Sequence, residues 1–348
     1  MKRHLFIYTM AAAALCVLGS CTSDDAPVAQ QPREIRLTSA VDGATTRSFD
    51  AANIPVNSTV WVWADQINGT NNLRMDYFFA WKLNANGNGG LASTKAKLYP
   101  ATNSLNFFGL KGNFDATITE NTTLLPVKDT EKELDGIIHL ISDDQTKAAD
   151  YNSSDLLYGQ LKGRTATNGD ATIPFYHMLS RIQVVLIPGY GGDNNNLLNT
   201  ESLSNAVVKV LDMYDCVKFT ADTTKNIGDA TTGRDLREAM ITIPSIAEKK
   251  PITIMTETST EADLTDGGYG DAIVAPTKAD LPVGTKLIQV DYMGRTTYYT
   301  LTEPLRLESG KRYRFKLYLD RIGDTYTIVP DLTVTPWGEE QVVPTDFK

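Results

Sequence analysis

Residue types that carry acid–base or nucleophilic chemistry are scarce in this chain of 348 residues. Three histidines are present, and His4 lies in a basic and apolar N-terminal leader, which leaves His139 and His177. No metalloprotease, nucleophile-elbow, phosphate-loop or dinucleotide spacing occurs, although a Ser/His/Asp site that converges only in space stays open. His177 stands beside a strand-like run, which favours a core or interface position. The sequence therefore predicts no catalytic residue, no bound cofactor and no enzyme.

Acidic loops are the next candidates for a functional site, in this case a metal site, because carboxylate and carbonyl oxygens bind Ca²⁺. Asp143 and Asp144 are adjacent, and residues 263–271 read DLTDGGYGD. Neither loop has the ordered spacing of an EF-hand, so solvated turns are favoured and no metal site is predicted. Aromatic side chains on loops would instead favour a binding surface. The candidates are Tyr190, Tyr269 and a cluster of Tyr77, Phe78, Phe79 and Trp81, for which a buried core is the alternative.

One cysteine has a context that predicts chemistry on its thiol. Lys2 and Arg3 precede an apolar run that is shorter than the roughly 20 residues needed to span a bilayer. The sequence LGSC that ends at Cys21 resembles the signal at which bacterial lipoproteins are cut before a cysteine that is then lipidated. We therefore predict a signal peptide over residues 1–20, a lipid anchor to the outer membrane on Cys21, and a flexible tether over residues 21–33.

The remaining cysteine and the net charge of the chain further narrow the classes of protein to which it can belong. Once the signal is removed, Cys216 is the one cysteine besides Cys21, so we expect no intramolecular disulfide and no cysteine-rich metal site. Asp24 and Asp25 follow Cys21 and resemble an export signal for the outer surface. A net charge of −9 argues against nucleic acid as a partner. The exported fold must therefore be stable through its hydrophobic core.

Short runs with a period of two dominate the rest of the chain, for example STVWVWAD, SRIQVVLIP and KRYRFKLYLD. Clusters such as NANGNGG separate them, which predicts strands joined by turns. Helical turns are expected only within TKAADYNSSDLLYG and RDLREAM. Because the chain exceeds the roughly 250–300 residues of one core, we predict an all-β fold with two β-sandwich domains, residues 34–188 and 189–348.

Four segments, taken in order, resemble the fimbrillin family of Bacteroidota. They are DLLYG (155–159), IPFYHMLSRIQVVLIPG (173–189), LESGKRYRFKLYL (307–319) and DLTVTPWGEE (331–340). The resemblance implies two transthyretin-like, Greek-key β-sandwich domains in a subunit of the type V pilus, which serves cell adhesion. It also implies that an arginine-specific protease removes the first strand of the exported lipoprotein. The vacated groove would then accept a strand from another pilin subunit.

The strand that such a protease would remove is EIRLTSAV, residues 34–41. Its alternation gives it one apolar face, which would complete the N-terminal domain. The edges left by its removal would template pairing with a new strand. The residues on this face of the displaced strand are Ile35, Leu37, Ser39 and Val41.

The segment after this strand, DGATTRS, is polar and contains a glycine, as expected of an exposed protease site. We predict cleavage between Arg47 and Ser48. Two other arginines are rival sites, but Arg33 is too early to release the strand and Arg36 lies within it.

The predicted donor strand lies in the C-terminal segment YTIVPDLTVTPWGEEQVVPTDFK, with Ile328, Pro330, Leu332 and Val334 on one face and the apolar Val342 and Val343 further on. Pro330, Pro336 and Pro344 complicate its insertion, because proline cannot donate to a ladder and is tolerated at edges or strand ends. The stretch that inserts is therefore left open. The alternative, held equally, is that residues 331–337 form the last strand of their own domain.

Other roles in the same fibre remain as alternatives to a stalk subunit. A terminal subunit can lack a groove or a donor strand, which would make the chain a tip or accessory adhesin. A surface lipoprotein that binds a glycan or a protein without polymerising is a further alternative, and its partner would be a receptor on a host or bacterial surface. An extracellular hydrolase is the most remote alternative.

Overall fold

The structure is a computed structural model that describes residues 33–42, 53–67, 74–127, 136–188, 206–229, 231–255, 269–322 and 325–336. Strands dominate these ranges, so the prediction of an all-β fold is confirmed. The strands of the first half are β1 (Leu37–Val41), β2 (Thr59–Ile67), β3 (Arg74–Ala85), β4 (Gly90–Ala92), β5 (Ser104–Lys111), β6 (Ile137–Leu140), β7 (Leu157–Arg164), β8 (Ala171–His177) and β9 (Ser180–Pro188). The later strands are β10 (Val207–Tyr214), β11 (Cys216–Phe219), β12 (Ile241–Thr242), β13 (Lys249–Met255), β14 (Tyr269–Val274), β15 (Lys286–Tyr292), β16 (Arg295–Thr300), β17 (Lys311–Ile322) and β18 (Thr325–Pro336).

Two short helices lie within the described ranges, α1 (Ala148–Ser154) and α2 (Gly233–Ala239). α1 falls inside the first segment that was predicted to hold helical turns, and α2 overlaps the second but begins one residue before it. Neither is long and apolar enough to cross a membrane.

The strands of the first half close into a barrel in the order β1-β4-β3-β2-β5-β7-β8. β1 completes the ring, because it pairs antiparallel with β4 on one side and parallel with β8 on the other. Every strand of the ring contributes to one apolar cluster in the interior of the barrel. The closure of the barrel therefore depends on its first strand.

The period of two along the barrel strands separates two cores. On β2, Val60 and Val62 point into the barrel cluster, whereas Trp63 belongs to a second cluster outside the barrel. On β5, Phe107 points inward and Phe108 outward in the same way. The second cluster continues into the later half of the chain, so the barrel wall is buried on both faces along these strands.

The later half forms three sheets, in the orders β13-β10-β15-β16, β14-β9-β17-β18 and β12-β11-β6. β9 lies within residues 34–188, the predicted N-terminal domain, yet it pairs with β14 and β17. β6 comes from the same part of the chain and pairs with β11. Sheet membership therefore changes between β8 and β9, and the division into two domains at residue 188 stays a prediction.

Candidate functional site

The seat of β1 is the groove between β8 and β4 in which this strand lies. Hydrogen bonds join β1 to both sides of that groove. Leu37 to Val41 are in register with Ala171 to Phe175 of β8. The Ala171 N–H donates to the Arg36 carbonyl at 2.8 Å, and the Asp42 N–H donates to the Phe175 carbonyl at 2.8 Å. The backbone N–H and C=O groups of the even-numbered residues of β1 thus bond to β8, and the backbone groups of the odd-numbered residues point towards β4.

The β4 side of the seat is held less completely. Registered pairs join Leu37 to Leu91 and Thr38 to Gly90. Beyond them, the Ser39 N–H donates to the Gly89 carbonyl at 2.7 Å. Gly89 has a φ of +88°, and a Cβ there would lie 3.1 Å from the Ser39 carbonyl oxygen. The turn before β4 thus needs a glycine both for its left-handed backbone and for its close approach to β1.

The inward face of β1 is the one that alternation predicted. The exposed fractions of Ile35, Leu37 and Ser39 are 2%, 3% and 5%, and Val41 is half-buried against the same cluster. The Ser39 hydroxyl donates to the Gly89 carbonyl at 3.3 Å. Removing these side chains would uncover the apolar interior of the barrel along its whole first strand.

The strand beside β1 is adapted to hold it. The backbone groups of the odd-numbered residues of β8 bond to β1, and those of the even-numbered residues point towards β7. The nitrogen of Pro174, an even-numbered residue, therefore faces β7. The β7–β8 register ends at the pair Gly159 and Phe175, just before that proline. Pro174 therefore costs no hydrogen bond to β1. Phe175 fills the barrel under Gly109, where a Cβ would lie 2.4 Å from its ring.

The outward face of the β1–β8 pair carries polar contacts. The hydroxyls of Thr38 and Thr172 lie 2.8 Å apart. Four residues further along, Asp42 follows the pair of Val41 and Phe175, so it stands beside Tyr176. The guanidinium of Arg237, from α2, lies over the Tyr176 ring at 5.1 Å.

Electrostatics tie Asp42 to this aromatic–cation pair. Burial lowers the pKa of Arg237, and the charge of Asp42 is the largest influence that raises it again. Burial also raises the pKa of Tyr176, and Asp42 adds to that rise. The C-terminal end of β1 therefore supplies a carboxylate to a half-buried cation of the later half of the chain.

Buried charges lie behind the barrel, on residues that the sequence analysis did not single out. The Lys111 ammonium donates to the carbonyls of Asn152 and of Asp155, the latter at 2.8 Å. His177 Nδ1 lies 2.9 Å from Asp155 Oδ1. Burial acts to raise the pKa of Asp155, but the charges of His177 and Lys111 outweigh it, so the pKa lies below its ordinary value. These side chains form a satisfied ion cluster between α1, β5 and β8.

His139 is also buried, and its hydrogen bonds specify one neutral tautomer. Its Nδ1 accepts from the Asn113 N–H at 3.0 Å, so Nε2 carries the proton and donates to the Ser154 carbonyl at 2.8 Å. Burial lowers the pKa of His139 to about 4. A histidine that is neutral and bonded on both nitrogens fits the structural role expected of a core residue.

The predicted donor segment lies on β18, which pairs antiparallel with β17 over the whole length of both strands. In this register Ile328 stands opposite Leu319, Leu332 opposite Phe315, and Val334 opposite Tyr313. β18 is the last strand of its sheet, and Val334 is 42% exposed. In this structure the segment is therefore an edge strand of its own chain.

Several predicted features lie elsewhere. Cys21, Arg47, Ser48 and Tyr190 fall outside the described residues, as do residues 263–268 of the acidic loop. No group of three or more potential metal-ligating His, Cys, Asp or Glu side chains occurs in the described part of the chain. The Asp144 carboxylate accepts hydrogen bonds from the Thr146 N–H and hydroxyl, as a turn residue does.

The aromatic cluster is mostly core. Phe78 and Trp81 are 7% and 3% exposed and pack in the barrel interior with ring centroids 5.6 Å apart. Phe79 points to a half-open cleft of about 290 Å³. That cleft is also lined by Trp63, Asp65, Met75, Asp76, Phe78, Leu124, Leu125, Val127 and Thr223.

Comparison with known proteins identifies the family. A family model described as fimbrillin-like matches residues 46–337. The chain belongs to the fimbrillin-like family. No curated protein matches this fimbrillin-like chain at a significant level. The family match begins just after β1, the strand whose seat is described above.

Solved structures support the fold of this fimbrillin-like chain. A suspected cell adhesion protein of Bacteroides ovatus superposes with a TM-score of 0.58 at 15% identity, covering 89% of this chain and 99% of the other. A suspected cell adhesion protein of Bacteroides uniformis gives a TM-score of 0.55 at 13% identity, covering 88% of this chain and 98% of the other. At this identity the likeness concerns the fold alone.

Proposed function

We propose that this fimbrillin-like chain is a subunit of a cell-surface type V pilus that serves cell adhesion, and that it assembles by strand exchange at the seat of β1. The observation that carries the proposal is the position of β1, the first described strand, which pairs with β8 on one edge and with β4 on the other and so completes the barrel. It lies at the N-terminal end of the fold and is buried on its inward face. The family and the described role of its structural neighbours in cell adhesion support a subunit of this type.

Removal of β1 would leave backbone groups without hydrogen-bond partners and would expose apolar side chains to water. The β8 edge would lose its bonds to Arg36 and Asp42, and the β4 side would lose its bond to Ser39. The interior of the barrel would lose the apolar side chains of Ile35 and Leu37. An unpaired strand edge beside an exposed apolar interior is unstable in water. An inserted strand supplies hydrogen bonds to that edge and covers the apolar interior.

In this proposal, β1 is removed only after the N-terminal segment has anchored the chain to the membrane and has been cut by a protease. Export as a lipoprotein on Cys21 holds the chain at the outer membrane until a protease cuts between Arg47 and Ser48. The cut separates β1 and its lipid from the body of the protein. The body then carries the open groove into the fibre, and the C-terminal segment with Ile328, Leu332 and Val334 is the proposed donor to the next subunit.

The test is the N-terminus and intact mass of the protein recovered from the surface of its native cells. We expect chains that begin at Ser48 in high-order oligomers. Arg47→Ala should leave the lipidated precursor uncut and unpolymerised, and Arg33→Ala is the matched control that should be processed normally. Monomers that still begin at acylated Cys21 would contradict the pilus assignment and favour a binding lipoprotein or an anchor.

A further inference from the structure

The cleft beside Phe79 lies apart from the seat of β1. Its two sides are formed by β2 with β3 and by the segment 124–127, and we call it the acidic cleft. We propose that it binds an arginine side chain that a segment of a partner protein presents at the cell surface. None of the described residues that line it belongs to β1, β8 or β18, so the site is independent of the proposed strand exchange.

Hydrogen bonds hold the two sides of the acidic cleft in place. The Trp63 indole N–H donates to the Thr123 carbonyl at 2.8 Å, which ties β2 to the start of the opposite side. At the other end of that side, Val127 forms a parallel bridge with Ala221. The Ala221 N–H donates to the Pro126 carbonyl at 2.6 Å. The cleft is therefore preformed, and binding requires little ordering of the chain.

An irregularity in β3 turns a carboxylate towards this cleft. In the register of β2 and β3, Ala64 pairs with Phe78. The next pair is Asp65 and Asp76, so Tyr77 is an extra residue, or bulge. Phe78 packs in the barrel interior, and in a regular strand Asp76 would lie on that same side. The bulge reverses the alternation, so Asp76 stands opposite Asp65 on the outward face.

Asp65 and Asp76 give the acidic cleft its charge. They are the charged residues among the described residues that line it. Residues paired across antiparallel strands have Cα atoms about 4.5–5.5 Å apart, so one cation can contact both carboxylates. Two like charges directly opposite each other cost stability, and a bound cation removes that cost. Asp76 is exposed, so its carboxylate is open to a ligand from solution.

Apolar surface surrounds the two carboxylates. Phe79 and Leu125 line the cleft, and Met75 and Leu124 lie on its opposite sides with exposed fractions of 50% and 47%. Large apolar side chains that are exposed together at a cleft mark an interaction surface. A long basic side chain lays its aliphatic stem on such a surface and keeps its charged end with polar groups. The acidic cleft matches both parts of a basic side chain.

The polar side chains of the cleft favour arginine over a sugar. They are two carboxylates and the hydroxyl of Thr223, so they offer mainly hydrogen-bond acceptors. A guanidinium has five donors and no acceptor, and its planar fork bonds to carboxylates and stacks on rings such as that of Phe79. The hydroxyls of a sugar also need donors, which these side chains supply poorly.

The size of the cleft suits one side chain rather than a whole peptide. Its volume is about 290 Å³, close to the lower end of the range of small-ligand pockets, about 300–1,000 Å³. The arginine therefore fills the cleft, and the residues that flank it in the partner contact Met75 and Leu124 at the rim.

Methionine methyl signals in nuclear magnetic resonance test the site on the full mature chain, with Cys21→Ser to prevent lipidation. The probe is the acetylated and amidated tripeptide Leu-Arg-Leu. The methyl signal of Met75, assigned through Met75→Leu, should shift as the peptide is added. Met293 is 58% exposed on the turn between β15 and β16, and its signal is the matched control that should stay in place.

Two comparison peptides separate charge from apolar contact. Citrulline has the shape of arginine without its charge, so Leu-citrulline-Leu should bind about tenfold more weakly, because hydrogen bonds to charged groups are lost. Acetyl-arginine amide lacks the leucines that contact the rim and should also bind about tenfold more weakly. Equal binding of the arginine and citrulline peptides would overturn the reading of charge. Equal binding of acetyl-arginine amide would overturn the protein segment in favour of a free cation.

Variants of the chain assign the charge to the cleft. Asp76→Asn should weaken binding of the arginine peptide about threefold in low salt, the scale of a partly exposed ion pair. Asp76 is chosen because Asp65 also makes an interaction within the chain. Asp280→Asn removes the same charge from an exposed position outside the cleft and should leave binding unchanged. Equal weakening in both variants would assign the effect to the net charge and overturn the site.

The remaining outcomes also decide the inference. A shift of Met75 with a cello-oligosaccharide but not with the arginine peptide would assign the cleft to a sugar. Movement of Met75 and Met293 together, or of neither, would overturn the site. These results are distinguishable from a failure of the proposed function, because Asp76→Asn should leave cleavage after Arg47 and polymerisation unchanged.

Discussion

The first and last described strands, β1 and β18, are held in the fold in different ways. β1 has neighbours on both edges, β8 and β4, and it covers the interior of a closed barrel. β18 has one neighbour, β17, and forms the edge of its sheet. Leu37 on β1 is 3% exposed, whereas Val334 on β18 is 42% exposed.

The difference indicates which strand can leave and what its departure does. Loss of β18 would leave β17 as a new edge and its sheet otherwise in order. Loss of β1 would open a barrel and uncover its core. A strand that is exchanged between subunits should be easy to withdraw in the donor and strongly bound in the acceptor. The seat of β1 has the second property, and β18 meets part of the first, because it lies at the edge of its sheet with β17 as its one neighbour in that sheet.

The largest expected effect comes from placing a charge at one apolar position of each strand, Leu37 on β1 and Val334 on β18. Leu37→Asp should lower the free energy of unfolding by about 4 kcal/mol, because it removes a buried leucine and buries an unpaired carboxylate. Val334→Asp should change it by no more than about 0.5 kcal/mol, since the site is exposed. Urea unfolding of both variants gives the comparison.

Ala40→Asp is the matched control on β1 itself. Ala40 lies on the outward face and is exposed, so the same charge three residues along the same strand should cost little. If Leu37→Asp and Ala40→Asp were equally mild, β1 would not be part of the core and the contrast with β18 would fail.

Acid provides a second way to separate the two regions, through His139. Its pKa in the fold is about 4, below the ordinary value of 6.5. The unfolded chain therefore binds the proton more tightly, and stability that is complete above pH 6.5 is lost as the pH falls towards 4. One such histidine accounts for about 3 kcal/mol over this range.

The loss should begin around His139, which lies on β6 and donates to the Ser154 carbonyl at the end of α1, just before β7. Hydrogen exchange at pH 4.5 should accelerate at β7 and β8 before it does at β18. His139→Gln, which keeps an amide donor but does not titrate, should flatten the dependence of unfolding on pH. An unchanged pH dependence in that variant would assign the acid sensitivity to other groups.

Gly89 and Gly284 offer a matched pair at intermediate effect. Their φ angles are +88° and +87°, but a Cβ would lie 3.1 Å from the Ser39 carbonyl oxygen at Gly89 and would meet nothing within 4 Å at Gly284. Both alanine variants bear the same backbone strain, about 1 kcal/mol. Gly89→Ala should cost roughly 1 kcal/mol more in thermal or urea unfolding because it also presses on β1. Equal losses would mean that the β4 turn can move away from β1.

How much of this was predictable depends on whether a feature is local. The inward parity of Leu37 and the opposite facing of Val62 and Trp63 follow from alternation within single strands, and the structure has them as predicted. The parallel pairing of β1 with β8 joins residues far apart in the chain, and no local pattern encodes it. The same holds for β9, whose apolar run reads equally well as the end of one sheet or the centre of another.

The buried ion cluster was missed for a related reason. Lys111 ends a strand of apolar and aromatic residues, and Asp155 begins the segment DLLYG, so each looks like an ordinary boundary residue in the sequence. Their burial arises only when α1 brings Asn152 and Asp155 onto β5. A charged residue at the end of an otherwise buried strand was the one available signal.

The smallest expected effect is at the hydroxyl pair on the outward face of β1. Thr38→Val removes one hydrogen bond to Thr172 but keeps the shape and strand preference of the side chain, so it should cost about 0.5–1 kcal/mol. Thr172→Val should cost the same, and the double variant should cost no more than either single change, because the bond can be lost only once. Additive losses in urea unfolding would mean that the two hydroxyls bond separately to water. The hydroxyl pair would then contribute nothing to holding β1, and the retention of that strand would depend on its inward face, its backbone and Asp42.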